Sequence, residues 1–164
     1  MEMCVAGTRI TQEGVDSMET KNQDRISELV EKQKDTYTSM ADEIWGYAEP
    51  RFQEYESSRV QQEYLASRGF SIRADLAGEK TAFIAEWGSG KPVLAFLGEF
   101  DALSSLQQEA DCTERRPIAG KTDGHGCGHH LLGTASVAAE RPYRYSVAGC
   151  SFNAPFSTCT RTFP

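Results

Sequence analysis

The run Val93-Leu-Ala-Phe-Leu97, ending on Gly98-Glu-Phe-Asp101, constrains the fold more than any other stretch of the chain. Five consecutive apolar residues without polar alternation read as a strand buried on both faces, the kind found inside an α/β sheet. Its carboxyl end carries Glu99 and Asp101, at the place where open α/β sheets keep their ligand crevices. Continued alternation would send both side chains the same way.

The segments around this strand supply the layers such a sheet needs. From Lys21 to Ala48, the residues Ile26, Leu29, Val30, Tyr37, Met40, Ala41, Ile44 and Trp45 recur at spacings of three and four. That period predicts one amphipathic helix, which Pro50 stops. A second helix is expected from a cap at Ser57 or Ser58, with Val60, Tyr64 and Leu65 inward and Gly69 as terminator. Strands are expected at 70–73 and 81–87, the latter joined to 93–97 through Gly88-Ser-Gly-Lys91 as a hairpin. Residues 104–124 form a polar loop, and a glycine-rich segment then opens a helix over 131–139.

The expected organisation is a leader over residues 1–20, disordered for want of any sustained period, one domain over 21–140, and a tail over 141–164. The tail differs in kind. It holds three Arg and no Asp, Glu or Lys, so the first 140 residues sum to 14 − 24 = −10 and the tail to +3. It shows no sustained period and is expected to be irregular and foreign to the domain, as a frameshift, altered splice or truncation would produce.

Composition excludes some partners. Seventeen Lys and Arg against twenty-four Asp and Glu give a net charge of −7 without a basic patch, which argues against nucleic acid. No run approaches the roughly 18 apolar residues that span a bilayer, and the first twenty residues lack a signal-peptide core, so a soluble, cytoplasmic protein is expected. Five cysteines, odd in number and irregularly spaced, fit a reducing compartment and leave a metal-binding thiolate open.

The chemistry concentrates in Asp123-Gly-His-Gly-Cys-Gly-His-His130, which contains all three histidines of the protein. Zinc favours thiolate and imidazole ligands, and the glycines let the backbone fold tightly enough for Cys127 and His129 to reach one centre. Such a pair supplies half a tetrahedral site. A helix starting near Gly128 would favour the Cys127 thiolate through its dipole. Glu99 and Asp101 are placed to orient a ligand histidine. The plainer alternatives are a buried structural cysteine beside surface histidines, and a solvated strand end.

Taken together, Trp45 with Ala48-Glu-Pro50 and Phe52-x-Glu54, then Gly98-Glu-Phe-Asp-Ala-Leu103, then Gly124-His-Gly-Cys-Gly-His129-x-Leu-Leu-Gly-Thr134, resemble the aminoacylase and carboxypeptidase G family of zinc amidohydrolases. The likeness runs over about residues 24–139 and is nearest the aminobenzoyl-glutamate hydrolase branch. It implies the amino-terminal part of a three-layer α/β zinc-peptidase catalytic domain, a mixed sheet flanked by helices, here incomplete and without the lid and dimerisation domain. It implies two bridged divalent metals and hydrolysis of the amide of an N-acyl amino acid or dipeptide.

Position by position, Cys127 and His129 match metal ligands, and Asp101 matches the catalytic aspartate that steers the metal-site geometry. Glu99 stands where other branches place a histidine or aspartate ligand. His130 departs from the usual Asn or Asp, and it and His125 are candidates for ligands or outer-shell groups. The family's general base comes from a downstream Glu-Glu pair, and this sequence has none. Three readings therefore stay open: a truncated hydrolase with a partial zinc site and little turnover, a non-catalytic zinc-binding or interaction fragment that pairs with an intact relative, and a chain that fails to fold.

Overall fold

The computed structural model describes residues 4–5, 8–9, 23–89, 93, 95–128 and 146–149. The chain divides into two compact units, Met1–Asp35 and Thr36–Pro164. In the first, β1 (Cys4–Val5) pairs antiparallel with β2 (Thr8–Arg9), inside the stretch expected to be a disordered leader. A two-residue ladder is too short to leave a period in sequence. Helix α1 follows over 23–32 and ends in a turn at Gln33, whose N–H reaches the Val30 carbonyl at 3.0 Å. That turn splits the expected single helix and its apolar stripe. Ile26 is 49% and Val30 37% exposed, so the front part of the stripe is not core.

Helix α2 (Lys34–Tyr47) keeps the rest of the stripe. Met40 and Ile44 are buried against Val60 of α3 (Tyr55–Ser67), with Tyr64 closing the cluster and the Tyr37 ring edge-on to it at 5.9 Å. Ala48 then takes a positive φ of 50° just ahead of Pro50, and the helix ends there as expected.

Helix α3 starts two to three residues before the expected Ser57 or Ser58 cap, with Glu54 in the cap position. Both serines lie buried in its first turn. The cap comes from outside the helix. The Glu56 and Ser57 amides donate to the Glu49 carboxylate at 3.0 and 2.8 Å, and the Ser57 hydroxyl adds a third bond at 2.7 Å. A carboxylate there satisfies orphan amides and meets the positive end of the helix dipole, which removes the need for a serine cap. At the far end Gly69, at φ 84°, donates to the Ala66 carbonyl and Phe70 to that of Leu65, the expected left-handed terminus.

Strand β3 (Ser71–Leu76) pairs antiparallel with β4 (Glu79–Glu86) across Ala77 and Gly78, both at positive φ as a tight hairpin requires. Strand β5 (Ala95–Gly98) comes next, followed by β6 (Leu103–Ser104) and β7 (Asp123–Gly124), an antiparallel pair of their own. The last strand, β8 (Ser146–Gly149), lies within the stretch expected to be irregular. It enters the main sheet antiparallel to β4 and parallel to β5, giving the order β3-β4-β8-β5.

The expected hairpin between 81–87 and 93–97 is therefore not formed. The partner of β4 on that side is β8, chosen by non-local pairing that no local signal carries. Nor is β5 buried on both faces: it is an edge strand, and Leu97 is 55% exposed. The core lies instead where α3 packs on β4. Leu65, Phe70, Phe83, Ala85 and Phe100 form its cluster, each large side chain contributing about 1.5–3 kcal/mol by leaving water. A mixed sheet with α3 packed on it fits the α/β arrangement expected. The helix expected at 131–139 lies outside the described residues.

Candidate active site

The core reaches the candidate site through Phe100. Its ring meets that of Phe83 on β4 at 6.2 Å and is 2% exposed, which pins the residue beside Asp101. Asp101 and Ala102 are buried in turn, and Glu99 is half-buried. Strand β5 stops at Gly98, so the pleat does not run on through 99–101 and the expectation that Glu99 and Asp101 share one face has no strand to rest on. Instead the Ala102 amide donates to the Glu49 carbonyl at 2.7 Å, and Ala102 forms a parallel bridge with Pro50. The Ala48-Glu-Pro50 segment thus holds the backbone just after Asp101 while its Glu49 side chain caps α3.

Strands β6 and β7 bring the glycine-rich segment back to this region, with Leu103 opposite Gly124 and Ser104 opposite Asp123. Ser105 donates to the Thr122 carbonyl at 2.7 Å and Gly126 to that of Leu106 at 3.2 Å. The approach is close enough to need glycine. A Cβ at Gly124 would stand 2.4 Å from the Gln107 Cα, and one at Gly126 2.9 Å from the Leu106 oxygen.

His125 follows, 1% exposed, its ring tilted against Trp45 at 6.3 Å. Trp45 and His125 line a cleft of about 250 Å³ with Gln107, Lys121 and Asp123. The sequence counts Trp45 as part of a helix stripe; here it faces the cleft at the end of α2. Cys127 is a free, half-buried thiol in a turn closed by Gly128, whose amide reaches the His125 carbonyl at 3.0 Å and whose φ is 86°. Its soft donor and tight turn fit zinc. The other proposed ligand, His129, and its neighbour His130 lie outside the described residues. Among the described residues, no group of three or more His, Cys, Asp and Glu converges to hold a metal.

One buried acid of this region is assigned no role by the sequence. Glu54 is fully buried, and its Oε2 lies 2.8 Å from the Thr81 hydroxyl of β4. Burial raises its pKa above the ordinary 4.5, and the negative charge of Asp101 adds to the rise; its own amide, the Phe52 amide and the Thr81 hydroxyl pull the other way. The only trace in sequence is its place in Phe52-x-Glu54, since a carboxylate ahead of a helix ordinarily reads as a solvated cap.

Comparison with solved structures agrees on the α/β fold. A chain from methicillin-resistant Staphylococcus aureus, described as an aminohydrolase, matches 77% of this chain and 34% of its own length, with a TM-score of 0.55 and 19% identity. No family model matches the sequence. Among curated proteins, a p-aminobenzoyl-glutamate hydrolase polypeptide of Escherichia coli (strain K12) is 44% identical over 114 residues, covering 70% of this chain and 24% of that one. IAA-amino acid hydrolase ILR1-like 6 of Arabidopsis thaliana is 36% identical over 98 residues, covering 56% and 20%. The chain belongs to the aminoacylase and carboxypeptidase G family of amidohydrolases and peptidases. It spans about a quarter of the length of the first of these relatives and a fifth of the second.

Proposed function

We propose that this chain is part of a metal-dependent amidohydrolase that cleaves the amide of an N-acyl amino acid or a dipeptide. Cys127 and His129 would hold zinc, and Asp101 would orient the site. Glu99, His125 and His130 are candidates for further ligands or outer-shell groups around it. The observation that carries the reading is the return of the glycine-rich segment through β7, which pairs Gly124 with Leu103, two residues after Asp101. The names of the two curated relatives, hydrolases of acyl-amino acid amides, support the substrate class.

Zinc, when bound, polarises a scissile carbonyl and lowers the pKa of its water. The chain's own contribution is to position: Phe100 and the Glu49 to Ala102 bond fix the Asp101 backbone, and Trp45 offers an apolar wall to a substrate group in the cleft. These 164 residues contain no Glu-Glu pair and only three histidines, so by themselves they supply a partial site. Absence of a positioned general base commonly costs about 10²- to 10⁴-fold in rate, and turnover by this stretch alone is expected to be weak or nil.

A second reading is a zinc-binding or interaction piece that pairs with an intact relative through its sheet, whose strand β5 leaves Leu97 55% exposed. Zinc analysis of the purified protein, an assay on a panel of N-acyl amino acids and dipeptides, and co-purification with a full-length relative separate the two. Zinc-free protein would overturn the metal assignment, and robust turnover would overturn the claim of weak activity.

A further inference from the structure

The Thr81 hydroxyl stands within hydrogen-bond distance of two carboxylates, Glu54 Oε2 at 2.8 Å and Glu79 Oε1 at 3.1 Å. A hydroxyl has one proton to donate, and an ionised carboxylate only accepts. If both acids were charged, the hydroxyl would have to share one proton between two acceptors, with only the Thr81 amide, 3.3 Å from Glu79 Oε1, to help. A proton on one of the acids gives each contact its own, and burial decides which. Glu79 is half-buried beside exposed Lys80, whereas Glu54 is fully buried, its Oε1 has no hydrogen-bond partner among the described residues, and the charge of buried Asp101 bears on it. Burial penalises a carboxylate there more than its own amide and the Phe52 amide offset, and it penalises a neutral carboxyl far less.

We propose that Glu54 is a proton-holding residue: its carboxyl O–H donates to Thr81 Oγ1, and Thr81 donates its own proton to Glu79. The chain Glu54, Thr81, Glu79 runs from the buried acid toward solvent. No bond to carbon forms or breaks, and the proton on Glu54 is taken up from water on folding.

The test is a pH titration followed by carbon-detected NMR of the whole protein carrying carboxyl-labelled Glu, run upward from the ordinary Glu value of 4.5 without added metal. One Glu carboxyl carbon is expected to keep its proton above the ordinary 4.5, and this signal is expected to vanish in Glu54→Gln. Thr81→Val, which removes the acceptor and the relay, should shift the protonated signal. A parent titration in which every Glu ionises at the ordinary value overturns the proposal without recourse to a variant, as does a late-ionising signal that survives Glu54→Gln. Because neither zinc nor turnover enters the measurement, its failure is separable from failure of the hydrolase reading.

Discussion

The Ala102 amide donates to the carbonyl of Glu49 at 2.7 Å, and the carboxylate of the same Glu49 accepts the Glu56 and Ser57 amides at the start of α3. One residue thus couples the backbone next to Asp101 to the helix that covers the sheet. The coupling gives the conspicuous Ala48-Glu-Pro50 segment a structural purpose at some remove from the chemistry itself.

Removing that carboxylate leaves the helix amides without their acceptor. Glu49→Ala is expected to lower unfolding stability by about 1–2 kcal/mol, in the range of a lost helix cap. Glu49→Gln, which keeps an acceptor oxygen, should lose less. Urea denaturation monitored by circular dichroism measures both, and equal losses would argue that the cap bonds carry little.

Gly124 and Gly126 differ in what a methyl group would meet. At Gly124 it would stand 2.4 Å from the Gln107 Cα, which is backbone and must move; at Gly126 it meets the Leu106 oxygen at 2.9 Å, a milder intrusion. Overpacking of this kind costs about 1–3 kcal/mol. Gly124→Ala is therefore expected to lower the thermal midpoint more than Gly126→Ala, and the reverse order would contradict the path traced for the loop from 103 to 126.

Much of this framework was legible in the sequence because its cues are local. The stripe of Met40 and Ile44 and the stop at Gly69 each depend on neighbours a few residues away. What escaped was non-local. The pairing of β4 and β5 with β8 draws on Ser146–Gly149, a four-residue strand too short to show a period. The split at Gln33 breaks a helix whose apolar spacing runs on unbroken. In the site, Asp101 and Cys127 stood out by residue type and motif. Glu54 did not, because its significance lies in burial against Thr81, a residue 27 positions away.

Burial of Glu54 gives stability a defined dependence on pH. Its folded pKa lies above the ordinary 4.5. Below that value both folded and unfolded states carry the proton, and no penalty arises. Between it and the raised folded value the folded state binds more protons, so unfolding free energy falls as pH rises through the window and levels off above it. Glu54→Gln removes this loss. The gain in denaturant midpoint of the variant over the parent is expected to grow upward from about pH 4.5 and then plateau. A difference that stays constant with pH would refute the assignment.

Cys127 and His125 lie two residues apart and should fail in different ways. His125 is 1% exposed and packed on Trp45, whereas Cys127 is half-buried in a turn with its thiol free. Replacing a buried, packed side chain costs folding stability, so His125→Ala should destabilise the metal-free protein by about 1–3 kcal/mol. Cys127→Ser keeps nearly the same volume and should leave metal-free stability almost unchanged. It replaces a soft sulfur donor with a hydroxyl, and zinc affinity is expected to fall by more than the roughly 10- to 100-fold typical of losing an outer-shell partner. Competition with a zinc indicator, alongside thermal melts of the metal-free variants, reads both effects. Unchanged zinc affinity in Cys127→Ser would remove this thiol from the metal site and leave His125 and His129 as the donors to test next.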